Sequence, residues 1–228
     1  MSPPSACGAD KTCSATVVAL GDSITRGRGG EPALGVHPQS WAQWLAEAMG
    51  EPFLNLAADG AVASDVLGTQ VPRLDGPYAL GLLYVGVNDV RGVDWDPLVF
   101  TRDVLAIATA LRESCGRVGV LTLPEDLGRP TAAPKPAEAN RILRGLEGVV
   151  LVELADFGGP ELVLPDTVHP TSAGMVEIAR RAARALGTPE PGPDEPIPAP
   201  GVRYRVWWGR LWLRDVVRRA RERRTLTR

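Results

Sequence analysis

Cysteine is scarce, histidine occurs twice, and no hydrophobic run is long; each shortage closes off a class of protein. Cys7, Cys13 and Cys115 match no zinc spacing and do not resemble a disulfide framework, so the plain reading is free thiols in a cytoplasmic protein. A Cys7–Cys13 pair stays open should the chain meet an oxidising compartment. No apolar run approaches the roughly 18–20 residues of a membrane span. The opening Met1-Ser2-Pro3-Pro4-Ser5-Ala6-Cys7 has neither a basic start nor an apolar stretch, so no signal peptide is expected. The formal charge of −2 over 228 residues gives no global affinity for polyanions. There is no Gly-x-Ser-x-Gly elbow, phosphate loop, complete dinucleotide-binding glycine set, calcium loop, His-x-x-x-His or Cys-x-x-Cys. The expected chemistry needs no metal and no cofactor.

What is present is alternation. Short apolar runs at Thr16–Leu20, Phe53–Leu56, Leu80–Val85, Val118–Leu123 and Val149–Leu154 are near-continuous, as in strands buried on both faces. Between them lie helical segments at Trp41–Met49, Ser64–Leu67 with its extension, Pro97–Ser114 (with Gly116 as its stop) and Pro136–Leu146. Thr171–Leu186 closes the series, with Thr171 or Ser172 as its cap. Strand–helix alternation implies right-handed crossovers and a parallel sheet covered on both sides. The expected body is one three-layer α/β/α, flavodoxin-like domain of about five mostly parallel strands over residues 15–187. An N-terminal segment, 1–14, precedes it.

In such sheets ligands bind beyond the carboxyl ends of the strands, so loops far apart in sequence converge there. Ser23 follows the first strand in Gly21-Asp22-Ser23, Asp59-Gly60 follows the second, and Gly86-Val87-Asn88-Asp89 the third. Asp166-Thr167-Val168-His169-Pro170 stands before the last helix. Each fragment has an ordinary reading: Asp22 and Ser23 as a helix cap, Gly60 as a turn glycine, Asn88 as a turn residue. Each also has a chemical one. A serine hydroxyl becomes a nucleophile when a base takes its proton and a third group orients that base. Backbone N–H groups at a glycine, and a side-chain amide, can receive an oxyanion. The base must be His37 or His169, and His37 lies in a Gly- and Pro-rich loop with only Glu31 nearby.

The ordered set Gly21-Asp22-Ser23, Gly60, Gly86-Val87-Asn88-Asp89 and Asp166–His169 resembles the SGNH (GDSL) hydrolase family, over roughly Val17–Leu186. The resemblance implies Ser23 as nucleophile, His169 as general base and then acid, and Asp166 as the residue that orients it. It implies Ser23 N–H, Gly60 N–H and the Asn88 amide as oxyanion donors. Asp22 is the alternative carboxylate, set aside because a sequence neighbour of the serine usually points away. Two positions depart from the family pattern: Asp59, where small residues are common, and Arg26, where an acidic residue is frequent. Neither is a catalytic position, although both can alter substrate charge preference.

The expected activity is a cofactor-independent serine esterase acting on a small-molecule ester. An acyltransferase, or a deacetylase of a sugar or natural product, would use the same residues. A non-catalytic binding module of the same fold is the remaining class. Acyl selectivity would lie in the loops Arg26–Gln39, Asp89–Asp96 and Pro124–Pro136.

Residues 188–201 are dense in Pro, Gly and acids and read as an extended, mobile linker. From Val202 to Arg228 arginine dominates, opposed only by Asp215 and Glu222, with Trp207, Trp208 and Trp212 interleaved. This 202–228 segment is expected to dock on the body or a second copy, or to rest peripherally on an anionic membrane. Nucleic-acid binding is the weakest reading, because no recognised fold accompanies the arginines.

Overall fold

The computed structural model describes residues 14–29, 34–127, 134–193 and 196–226. Cys7 and Cys13, and parts of two of the three proposed selectivity loops, lie outside the described residues. Five strands form one sheet: β1 (Ser14–Gly21), β2 (Phe53–Asn55), β3 (Tyr78–Tyr84), β4 (Cys115–Leu121) and β5 (Val150–Val152). Their order is β2-β1-β3-β4-β5 and every pairing is parallel, in register at Val18↔Leu54, Leu20↔Leu83, Gly81↔Val118 and Val120↔Leu151. Val18, Leu20, Leu82, Leu83, Val120 and Leu121 are fully covered. Their apolar side chains on both faces are why these stretches lack alternation, since each buried Val or Leu contributes about 1.5–3 kcal/mol.

Helices α1 (Ser23–Arg26), α2 (Trp41–Met49), α3 (Ala63–Asp65), α4 (Val87–Arg91), α5 (Pro97–Ser114), α6 (Lys135–Arg144), α7 (Ser172–Leu186) and α8 (Val202–Leu226) complete the chain. α2 and α7 pack together on one face, while α5 packs on β3 and β4 with α3 and α6 beside it. The three-layer α/β/α expectation therefore holds. Local chemistry sets the ends. Ser40 accepts from Gln43 N–H before α2, Asp96 from Leu98 and Val99 N–H before α5, and Thr171 from Gly174 N–H before α7.

Three expectations need correction. The Ser64–Leu67 helix is a single α turn that widens to a π turn at Val66–Gln70 and tightens to a 3-10 turn at Val71–Arg73. Gln70 explains the irregularity: it is buried, and its amide bonds both Gly21 N–H and Gly21 C=O at 2.9 Å. Gly116 is no helix stop. α5 ends because Cys115 takes extended backbone (φ −128°) and pairs with Tyr78, so Gly116 already lies in β4. The linker is a strap rather than a free tether: Glu190 pairs with Arg184, Pro191 C=O accepts from Arg180, and Ile197 packs against a small cluster with Val36, Ala173 and Val176.

Candidate active site

β1 delivers Ser23 to the carboxyl edge of the sheet through a tight turn. At Gly21 (φ +149°) a Cβ would collide with Tyr84 C=O, so only glycine lets the strand end this close to β3. Asp22 Oδ1 then accepts from Ile24 N–H at 2.9 Å, capping α1, and Ser23 opens that helix almost buried. Asp22 is 1% exposed and its Oδ2 has no partner among the described residues. Burial pushes its carboxyl up to about 7, against the opposing pull of the Ile24 N–H and of nearby His169. Its bond to the backbone makes it a cap and keeps it out of line with the imidazole.

The other half of the site comes from the loop before α7. Asp166 Oδ1 accepts the backbone N–H groups of Val168 (2.9 Å) and His169 (3.0 Å), and its Oδ2 lies 2.6 Å from His169 Nδ1. Across the ring, His169 Nε2 lies 3.0 Å from Ser23 Oγ. Burial raises the Asp166 carboxyl, but the His169 side chain and the two backbone N–H groups outweigh it, and the net shift is below the ordinary value. An ionised Asp166 favours the tautomer with the proton on Nδ1, leaving Nε2 free to accept from the serine. The loop holds strain for this geometry. Thr167 takes φ +64°, where a β-branched side chain costs about 1–3 kcal/mol. It is fixed by Thr167 N–H to Leu164 C=O (2.9 Å) and by Thr167 Oγ1 to Leu127 C=O (2.8 Å). Behind the imidazole sits Gly29 (φ +102°), where a Cβ would come within 2.6 Å of His169 Cβ.

Gly60 (φ +75°) lies in the loop after β2, and Asn88 in the first turn of α4 after β3. Among the described residues nothing accepts the N–H of Ser23 or Gly60. Asn88 Nδ2 donates to Ala61 C=O at 3.0 Å, and Asp89 Oδ1 accepts from Ala63 N–H at 3.0 Å, so α4 grips the Gly60 loop from below. Burial pushes the Asp89 carboxyl up to about 6. Asn55 ties the same loop to α1, donating to Thr25 C=O (3.0 Å) and accepting from Ala57 N–H (3.1 Å). The two departures from the family pattern meet here. Arg28 Nη2 lies 2.7 Å and Arg26 Nη1 3.7 Å from Asp59 Oδ2, joining the nucleophile segment to the residue before Gly60. Asp59 offsets one of the two guanidinium charges and leaves the other. A cavity of about 470 Å³ opens beside Asn88, walled by Val62, Asp89, Trp95, Asp96 and Phe100. His37 is an exposed loop residue, as expected. No group of three or more potential metal ligands occurs among the described residues.

The sheet thus brings all five sequence-derived residues to one edge: Ser23, His169 and Asp166 in one hydrogen-bonded row, and Gly60 and Asn88 on the adjoining, mutually bonded loops. The family model of the GDSL-like lipase/acylhydrolase family matches residues 19–177. The chain belongs to that family. Membership makes it an acyl hydrolase by class. Two of the solved structures that share its fold illustrate the likeness. One is a variant of Axe2, an acetyl xylan esterase from Geobacillus stearothermophilus, at 15% identity over 80% of this chain and 97% of the other, with a TM-score of 0.60. The second is LAE5, an alpha/beta hydrolase enzyme from the metagenome of Lake Arreo, Spain, at 18% identity over 76% and 95%, with a TM-score of 0.62. No curated protein matches the sequence.

Three supporting residues escaped the sequence reading. Gln70 and Gly29 carry no local signal, since one is a polar residue in a helix-like stretch and the other one glycine among several. Asn55 lies in the second apolar run, Phe53–Leu56, and its place at a strand end was the available clue.

Proposed function

We propose that this protein is a serine esterase that cleaves carboxylic esters through an acyl-enzyme on Ser23. The reading rests on one observation above all, the continuous row Ser23 Oγ, His169 Nε2, His169 Nδ1 and Asp166 Oδ2 at 3.0 and 2.6 Å. In this mechanism His169 takes the Ser23 proton as Oγ attacks the ester carbonyl, and ionised Asp166 stabilises the imidazolium that forms. The oxyanion is received by the N–H groups of Ser23 and Gly60 and by the Asn88 amide, each such donor being worth about 3 kcal/mol of barrier. His169 then protonates the leaving alcohol, and water activated by the same imidazole releases the acid. The substrate is a small-molecule ester. The body is residues 15–187, joined through 188–201 to the basic segment 202–228. Cys115, a free thiol whose burial pushes it up to about 12, fits the cytoplasmic setting we propose.

A second reading, deacetylation of a hydroxyl-rich alcohol, is favoured by the cavity beside Asn88. Trp95, half-buried against Phe100 (ring centroids 5.2 Å apart), offers a face to stack on, and the exposed Asp96 offers an acceptor for hydroxyls. The acetyl xylan esterase activity named for Axe2 is of this type. An acyltransferase would use the same residues, with an alcohol in place of water.

The test is hydrolysis of p-nitrophenyl esters from acetate to palmitate by the wild type and by Ser23→Ala. Release confined to the wild type, with labelling of Ser23 by a fluorophosphonate, is the expected result. Equal release by the folded Ser23→Ala variant would remove the mechanism. A profile restricted to acetate would favour the deacetylase reading.

A further inference from the structure

α8 has two unlike sides. Tyr204 and Trp208, one turn apart, face the body: Tyr204 Oη donates to Pro160 C=O at 2.6 Å, and Trp208 Nε1 to Val163 C=O at 3.1 Å. These bonds fix the helix about its own axis, so what lies on the other side is set by helical periodicity. At 3.6 residues per turn, Val202, Val206, Leu213 and Val217 fall in one narrow stripe, nearly opposite Tyr204 and Trp208. All four are exposed, at 79, 49, 57 and 42%. Among the described residues, a stripe of aliphatics held outward by a docked inner face is left without a partner.

The flanks identify the partner. Arg203, Arg210 and Arg214 run along one border of the stripe, with Arg205 and the exposed Trp212 along the other. Between Val202 and Arg214 no acidic residue occurs. Over 202–228 ten arginines face two acids, so residues 1–201 carry a formal charge of −10 against the total of −2. An aliphatic stripe bordered by tryptophan and arginine matches the layering of a lipid interface: acyl chains inside, a headgroup belt for the indole, and phosphates outside. No described helix is long and apolar enough to cross a membrane, so this one would lie on the surface.

We propose that α8 holds the enzyme on an anionic lipid surface through the outward stripe Val202, Val206, Leu213 and Val217. The acidic body gains nothing from such a surface and is brought there by the helix alone. The anchor points Pro160 and Val163 belong to the segment leading into the Asp166–His169 loop, where Leu164 N–H bonds His169 C=O at 2.8 Å. The membrane contact is therefore mechanically close to the catalytic base. The inference does not rest on the esterase mechanism, since binding is read without turnover.

The experiment is co-sedimentation of the full chain with vesicles of phosphatidylcholine alone and of phosphatidylcholine mixed with phosphatidylglycerol. Wild type and Val206→Glu/Leu213→Glu are compared, with light scattering to give the mass of each in solution. The wild type is expected to bind the anionic vesicles at least tenfold more tightly than the neutral ones, and less tightly as salt rises above about 0.1 M, where charge screening sets in. The double variant, altered only at exposed positions, is expected to lose at least tenfold in anionic binding while remaining folded and hydrolysing soluble esters as the wild type does. Failure of the wild type to bind anionic vesicles overturns the proposal. So does equal binding by the double variant, or a wild-type dimer that the variant converts to a monomer with no vesicle binding by either.

Discussion

Gly29→Ala is the sharpest probe of how the site is held. Its Cβ would stand 2.6 Å from His169 Cβ and 2.7 Å from Pro170 C=O, whereas ordinary contact begins near 3.4 Å. The two backbones must part by about 0.8 Å, and Arg28 N–H, bonded to Ser23 C=O at 2.8 Å, holds the Gly29 side to the nucleophile turn, so the loop carrying His169 takes up part of the shift. The Ser23–His169 separation of 3.0 Å leaves no room for such a shift without loss of the hydrogen bond. A misplacement of about 1 Å costs on the order of 100-fold in rate. The left-handed backbone at φ +102° adds roughly 1–2 kcal/mol of strain in the folded state. Gly35→Ala separates the two effects, because Gly35 is also left-handed (φ +76°) yet has nothing within 4 Å of its added Cβ. The assay is kcat and KM on p-nitrophenyl acetate, with Tm by circular dichroism for each variant. Both variants should lose some stability. Only Gly29→Ala should lose about 100-fold in kcat, with KM little changed. A folded Gly29→Ala enzyme within twofold of wild-type kcat would refute the claim that close approach positions the imidazole.

Asn88→Ala should lower kcat by about 100- to 1,000-fold, the usual loss on removing one oxyanion donor; steady-state kinetics giving a kcat within threefold of wild type would take Asn88 out of that role. Asp22 makes a pH prediction. Folded, its carboxyl titrates near 7, while the unfolded chain releases that proton near 3.8. Between those values the folded chain binds more protons, so stability declines as pH rises from about 4 to about 7 and levels off above. Asp89, titrating near 6, acts in the same direction. Asp22→Asn should flatten the decline in Tm from pH 5 to pH 8, and identical slopes for the two proteins would count against the buried, proton-holding Asp22.

The sequence revealed most where one physical signal acted alone. Trp41–Met49 and Pro97–Ser114 have the bounds expected, because Ser40 and Asp96 supply side-chain caps and apolar spacing carries the rest. The strands were legible as apolar runs, and the rule for ligand sites in parallel sheets placed Ser23, Gly60, Asn88 and His169 on one rim. Long-range bonds account for what was missed. Gln70 turns inward to hold Gly21, 49 positions away, and the helix around it deforms. Gly29 meets His169 only in the folded chain. The strap 188–201 looked mobile by composition, yet arginines of α7 bind it. The Arg26–Asp59 departure, two separate anomalies along the chain, is a single bonded feature in space.

Ser23 and His169 stand 146 positions apart, and the parallel sheet between them joins no strand to its neighbour by a hairpin. A chain made from its N-terminus at ~5–20 residues per second exposes Ser23 on the order of ten seconds before His169 leaves the ribosome. Throughout that interval Ser23 is an ordinary alcohol. On the proposed mechanism, reactivity waits until the segment before α7 closes against β1 and Gly29. On that mechanism an incomplete chain carries the serine without its base, and the first reactive Ser23 in a folding population reports that the segment before α7 has reached β1.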